Sequence, residues 1–406
     1  MALAMATRMC ASEKLLPEAS RELRLRMVFE HSKWDMQCED HCILADYPLL
    51  LAREELAVLA RDAEALARET LAAERELLAR PELQARLGLP SEIVRLLRGL
   101  RVAAPGIARV LRFDFHLTDE GWRISEVNCD VPSGFIEAGA LSSSMQPYVS
   151  SASASPDAAK AYVSALRRAT GDGATLALVH CTAYSDDRQV MQHLAREATL
   201  AGMTALPAAP MHLHWCDGMT RCFGLPVDAI IRFFPAEWLP NLRDGGSWRN
   251  FFCDSRTPTS NPAYALLTQS KRLPAIWDEL GSPLPTWRRL LPETRCPSRV
   301  RDLGAADWVV KPALGRVGAD IALAGVTTAL ERVKILAAAR RRPSDWVAQR
   351  RFNVLPMETP DGLRFATIGL FVIDGGFAGA YARISVSPLI DENAQDVAVL
   401  IKENDD

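Results

Sequence analysis

Apolar residues recur at intervals of three and four through Leu56, Leu59, Ala63, Leu66 and Leu71, in a stretch rich in Ala, Leu, Glu and Arg. That period predicts a long amphipathic helix over about Tyr47–Arg80, its charged residues forming the wet face. A second helix is expected over about Ser91–Gly99, after the Gly-Leu-Pro punctuation at 88–90. The stretch Arg112–Asn128 reads instead as two short strands joined by a turn at Asp119-Glu120-Gly121. The run 149–156, rich in Ser and Ala, reads as a linker or loop. Beyond it the pattern is helix (Ala158–Ala169), apolar strand (Thr175–His180), polar loop (Thr182–Asp187), helix (Arg188–Ala201, with Gly202 near its end) and strand (Ala229–Phe233). This alternation predicts a small α/β unit with a parallel sheet over about 157–240.

Residues 241–300 are rich in Pro, Trp and Arg, with a helix expected near Tyr264–Leu280. The last hundred or so residues turn strand-rich. Strands are expected at Trp308–Lys311, Asp320–Leu323, Trp346–Arg350, Arg364–Val372 and Phe377–Ser385, interrupted by a helix at Thr328–Ala338. Residues 1–30 lack clear periodicity and are expected to be loosely docked or disordered.

Composition narrows the function classes. A chain of 406 residues, 49% hydrophobic, allows a large core and two or three subdomains. The net charge of −3, from 47 basic and 50 acidic residues, speaks against an electrostatic nucleic-acid binder. No run of about 18 apolar residues is present, and the start of the chain lacks the apolar core of a signal peptide, so neither a membrane span nor secretion is expected. Nine scattered cysteines suit reduced thiols in the cytoplasm rather than a disulfide framework. Two Cys/His groups, Cys38/His41/Cys42 and His212/His214/Cys216, lack the paired spacing of structural zinc sites.

The hairpin is the most informative segment. Alternation along a strand puts Arg112 and Asp114 on one face, and likewise Glu126 and Asn128. If the strands pair, one Arg, two carboxylates and one amide oxygen converge. Such hard donors suit Mg²⁺ carried in on substrate phosphates, with the Arg forking a phosphate oxygen. The alternative is a plain solvated face. A second motif is Trp308-Val-Val-Lys311-Pro-Ala-Leu-Gly315-Arg316-Val-Gly318, a strand leading through a glycine loop to another strand. Its glycines would let backbone amides approach phosphate, and Lys311 would add a point charge. Because no helix follows, it is neither a Walker loop nor a Rossmann turn, and a simple hairpin is the alternative. Lys271, Glu237 (within Arg232-Phe-Phe-Pro-Ala-Glu237-Trp238) and Arg383 are weaker candidates when taken singly. No Gly-x-Ser-x-Gly elbow is present, which disfavours a serine hydrolase of that type.

In order along the chain, the segments RFDFHL…EVNCDVPSGFIEA, RFFPAEW, NPAYALLTQSK, WVVKPALGRVGADI, WVAQRRFNVLP and FVIDGGFAGAYARIS resemble the glutathionylspermidine synthase family, a branch of the ATP-grasp carboxylate–amine ligases. Lys33-Trp34-Asp35 is similar too. The resemblance implies an α/β (α+β) ATP-grasp fold and ATP with Mg²⁺ as cofactors. It implies an N-terminal helical region over 1–105, the metal-binding hairpin and substrate loops over 106–156, and a nucleotide-binding region over 241–406. No amidase domain is expected before the hairpin.

By the same resemblance, Asp114, Glu126 and Asn128 would hold Mg²⁺. Lys271 and Lys311 would contact ATP phosphates, Arg112 the transferring phosphate, and Arg383 the phosphate end. The Gly315–Gly318 loop, with Arg316, would cover the nucleotide, and Gln349–Phe352 would border the adenine. Arg112, Asp130, Ser133 and Glu237 would face the substrates, a small-molecule or peptide carboxylate and an amine. The implied reaction is amide formation through an acyl phosphate. A small-molecule kinase on the same fold and a non-catalytic nucleotide-binding protein are the alternatives. The identity of the acid and amine, and the oligomeric state, stay open.

Overall fold

The computed structural model describes residues 8–38, 41–100, 103–243, 245–316 and 318–403, save the side chains of Cys38 and His41. The strand Val110–Thr118 is buried along its whole length. Leu111, Phe113, Phe115 and Leu117 enter the main hydrophobic core. Arg112, Asp114 and His116 alternate with them and turn into a large cleft. This strand pairs antiparallel with Gly121–Asn128 on one side and Gly362–Ile373 on the other. The sheet then runs through Gly376–Ser385 and Gln395–Lys402 to Leu49–Ala52 and Met9–Ala11.

One helix covers the apolar face of that sheet. Arg53–Leu78 buries Leu56, Leu59, Ala63, Leu66 and Ala67, the three-and-four stripe read from the sequence, while Leu71 is only partly buried. Burying such side chains stabilises by roughly 1.5–3 kcal/mol each, so this layer is a main anchor of the fold. Glu74 on the same helix takes both ends of the Arg109 guanidinium, at 2.6 and 2.8 Å, and so fixes the start of the central strand.

Two smaller sheets flank the cleft. The expected parallel sheet is present, in the order Thr259–Ser260, Ala229–Arg232, Thr175–Val179, Thr204–Ala208, with helices Ala158–Thr170 and Ser185–Leu200. A three-stranded antiparallel sheet, Thr294–Arg295, Trp346–Arg350 and Trp308–Pro312, carries helix Ala329–Arg341 and forms the opposite wall.

Several expectations need correction. Within the N-terminal segment, residues 8–31 carry regular structure docked on the rest of the fold. Met9–Ala11 is an edge strand and Pro17–His31 a helix that buries Leu23 and Met27, too few apolar positions for a visible period. The long helix starts at Arg53, because Leu49–Ala52 is a strand. A four-residue apolar run cannot be told from helix by periodicity. The supposed linker contributes Ala152–Ala154 as a strand beside Gln395–Lys402. The expected helix near Tyr264–Leu280 is a chain of short turns, of which only Leu266–Gln269 is α-helical. Pro274 has no N–H for a continuous helix, and Lys271 therefore follows a helical turn instead of sitting inside a helix. Asp320–Leu323 is not a strand; it makes a single bridge, Ala322 to Val310. Among the described residues no helix is long and apolar enough to cross a membrane.

Candidate active site

The cleft encloses about 890 Å³ between the large sheet and the two smaller ones. Its floor is the polar face of the large sheet, and the strand register lays it out. Arg112 stands opposite Asn128 and Asp114 opposite Glu126. Gly369 lies between Asp114 and Tyr381, and Arg383 lies between Thr367 and Asp396. The four hairpin residues thus share one surface patch, as their alternation predicts.

Glu126 reaches that face through a β-bulge. Asp114 pairs with Glu126 but Phe115 pairs with Ile124, so Ser125 is the extra residue. The bulge shifts the phase of the strand. Trp122 and Ile124 stay in the core while Glu126 and Asn128 face the cleft.

The hairpin carboxylates are each held by a cation. Arg112 forks Asp114 at 2.8 and 2.9 Å and donates to the Ser133 carbonyl at 2.7 Å. Asn128 donates its amide to Asp114 at 3.0 Å. Lys271 pairs with Glu126 at 2.9 Å and donates to the Gly315 carbonyl at 2.7 Å, clasping hairpin to glycine loop. Lys311 donates to the Ser125 carbonyl at 3.0 Å. Burial alone would raise the Glu126 carboxyl, but Lys271 and Lys311 outweigh it and hold it down at about 2. Burial, aided by Lys271 and only partly offset by Glu126, pulls Lys311 down to about 8. Burial raises Asp114 despite Arg112.

This donor set fits a phosphate-borne divalent cation. Two carboxylates and one amide lie on one face, and the remaining oxygens would come from phosphate, since Mg²⁺ is seldom caged by protein alone. No group of three or more His, Cys, Asp or Glu suited to a metal occurs among the described residues. In the second Cys/His group, His212 accepts from the Ala209 amide and Cys216 donates toward Asp217. The first group falls partly on Cys38 and His41, outside the described side chains.

The loop after Lys311 lines the same cleft with Gly315, Arg316 and Gly318. Gly318 has a φ of +68°, and a Cβ there would lie 2.5 Å from the Ile390 carbonyl oxygen. The loop therefore rests against the 386–394 segment in a way that only glycine permits. Gln349 lines the cleft with Phe352, Val309 and Leu323; its amide donates to Thr294 at 3.0 Å.

At the other end the expected substrate residues are less open. Ser133 lines the cleft, but Asp130 and Glu237 lie behind its wall. Asp130 is fully buried, accepting from Arg232 at 2.5 Å and from the Ala236 amide at 3.0 Å. Arg316 crosses from the glycine loop to Glu237 at 2.8 Å and Asp130 at 3.2 Å. The cleft also gathers residues that the sequence reading missed. Tyr381 packs its ring 5.4 Å from the Arg112 guanidinium carbon. Gly369 makes room for both; a Cβ there would lie 2.5 Å from that ring and 3.2 Å from Arg112. Lys33, only 2% exposed, joins Asp35, Glu137 and Asp396 at 2.5–2.8 Å, and Asp396 reaches Arg383 at 3.4 Å. His116 bridges Ser125 and Thr367.

The family model for the glutathionylspermidine synthase preATP-grasp region matches residues 28–402. The chain belongs to this family. Among solved structures, a glutathione synthetase-like effector (GSS30) from Globodera pallida is similar at 12% identity with a TM-score of 0.66, covering 95% of this chain and 96% of that one. This shared fold makes the large mixed sheet and its flanking walls a glutathione synthetase-like ATP-grasp architecture. A putative gamma-glutamylcysteine synthetase from Methylobacillus flagellatus matches at 11% identity, over 80% of this chain and 87% of that one, with a TM-score of 0.44, too low to support an argument. No curated protein matches the chain. The glutathionylspermidine synthase family and its fold place this chain among synthetase ligases, which act on small molecules.

Proposed function

We propose that this family member is an ATP-dependent ligase that joins a carboxylate to an amine through an acyl phosphate, releasing ADP and phosphate. The observation that carries this reading is the clustering of Asp114, Glu126 and Asn128 with Arg112, Lys271 and Lys311 on one patch of the cleft, beside the apolar side chains of Val309, Leu323 and Phe352 at one end and substrate loops at the other.

On this reading Asp114, Glu126 and Asn128 hold Mg²⁺, which supplies charge neutralisation at the phosphates when bound. Lys271 and Lys311 swing from Glu126 and the Ser125 carbonyl to phosphate oxygens, and Arg112 binds the phosphoryl group in flight. A carboxylate oxygen of the acid forms a bond to the γ-phosphorus while the bond to the ADP oxygen breaks. The amine, having lost its proton, then attacks the acyl carbon, and phosphate leaves with its electron pair. Charge spread over the transferred group makes fixed cations the main source of rate. The Gly315–Gly318 loop keeps water off the acyl phosphate.

The test is ADP release from Mg·ATP across a panel of carboxylates (glutathione, amino acids, small peptides), each with and without spermidine, ammonia and other amines. The ligase reading expects ADP release that needs both partners, with the amide seen by mass spectrometry. ADP release with acid alone and a stable phosphorylated acid would make the protein a kinase.

A further inference from the structure

His116 sits on the cleft floor between two hydroxyls that belong to different strands. One ring nitrogen, Nε2, lies 3.0 Å from Ser125 Oγ, and the other, Nδ1, lies 3.0 Å from Thr367 Oγ1. A neutral imidazole has one donor and one acceptor, and each hydroxyl can take either part, so both contacts can be satisfied at once. The ring is buried and packs 5.2 Å from Phe352.

What His116 holds is the extra residue of the bulge. A bulged residue loses its ladder partner and is therefore the softest point of its strand. Here Ser125 precedes Glu126, and its carbonyl receives Lys311 at 3.0 Å. The same residue thus sets the direction of a carboxylate and the resting place of a cation. It has no partner in the strand register, and the imidazole ties its side chain to Thr367 on a third strand.

We propose that His116 is a positioning residue, which pins the Ser125 bulge so that Glu126 and Lys311 are preset for the phosphates of Mg·ATP. The geometric part stands by itself; the link to Mg·ATP rests on the functional reading above.

The test compares two amides that mimic different ring nitrogens. In His116→Gln the side-chain amide reaches the place of Nε2 and keeps the Ser125 contact. In His116→Asn it reaches only the place of Nδ1 and keeps Thr367. Two readouts are taken on the full chain, hydrogen exchange at the Ser125 and Glu126 amides without ligand, and Mg·ATP affinity by calorimetry. His116→Asn is expected to speed exchange at both amides and weaken Mg·ATP about tenfold, the scale of one lost hydrogen bond. His116→Gln is expected to recover to within about threefold. Ser125→Ala should weaken binding like His116→Asn, and the double variant should add little more, since both remove one contact. Equal behaviour of the Asn and Gln variants in exchange and affinity, or full additivity of the double variant, would overturn the proposal. Failure of the unaltered protein to bind Mg·ATP would overturn the functional reading and the link to phosphates, while the exchange data would still decide whether His116 pins the bulge.

Discussion

The two ends of the cleft handle charge in opposite ways. At the proposed phosphate end the two lysines are shared. Lys271 divides itself between Glu126 and a loop carbonyl, and Lys311 rests on a backbone oxygen. At the substrate end the cations are locked. Arg232 and Asp130 form a fully buried pair, and Arg316 closes on Glu237 and Asp130 from the facing loop. A charge resting on neutral or divided partners can move to a ligand at little cost, whereas a desolvated pair cannot. The difference teaches that the two lysines at the proposed phosphate end are placed to exchange partners, whereas the buried arginine pairs, Arg112–Asp114 included, hold the walls in place. Arg316 joins the two regimes, because it is the part of the lock carried by the glycine loop.

The comparison can be broken most forcefully at the phosphate end. Glu126→Gln should cut ADP formation on the order of a hundred- to a thousandfold, with some loss of stability as Lys271 and Lys311 lose their counter-charge. Near-normal turnover in that variant would remove Glu126 from the metal set. Its counterpart at the other end is Arg232→Met. Leaving Asp130 buried without its partner should cost about 3–5 kcal/mol of stability, read as a lowered urea midpoint. A variant as stable as the parent would show that the pair is not a lock. Arg316→Ala should fall between these two in character. It should cost on the order of 1–3 kcal/mol of stability, because Glu237 is left nearly buried without its partner, and lower kcat/KM for the acid about tenfold. An unchanged kcat/KM would separate the loop from the substrate end.

The smallest expected effect is on pH. Lys311 is pulled down to about 8 in the free protein, below its ordinary value of about 10.4. Below pH 8 it is charged and ready for phosphate. As pH rises through 8 it loses its proton, so Mg·ATP affinity should fall by at most about tenfold per pH unit, with proton uptake on binding in that range. Stability should not fall with it. A lowered Lys value means the fold prefers the neutral form, and the penalty from this group is present below about 8 and fades as pH rises toward 10.4. Affinity flat to pH 10 would show that Lys311 does not meet phosphate.

How much of this was legible in the sequence follows the same division. The hairpin face could be read because alternation of charged and apolar residues at Arg112–Leu117 is a local pattern, and register then brings in Glu126 and Asn128. The apolar spacing Trp122, Ile124, Val127 also carries the bulge, since a step of three inside a period of two marks an extra residue. Gly369 and Tyr381 were not legible, because their roles arise from a cross-strand neighbour more than 200 residues away in sequence from Arg112. Lys33 was readable only as part of a resembling segment. Its burial among Asp35, Glu137 and Asp396 depends on three elements meeting. Lys271 was given the wrong local structure, yet it lines the cleft, because a short turn ending at Gln269 aims it there as well as a helix would.

The central claim is that the acid's own carboxylate takes the phosphoryl group and that the amine then displaces phosphate from it. The most direct measurement uses an active acid–amine pair, the acid carrying ¹⁸O in its carboxylate, and follows the label by mass spectrometry. The account predicts that one ¹⁸O per turnover appears in the released phosphate, and that the amide keeps the other. Phosphate without label, with the departing ¹⁸O found in water or another product, would contradict it.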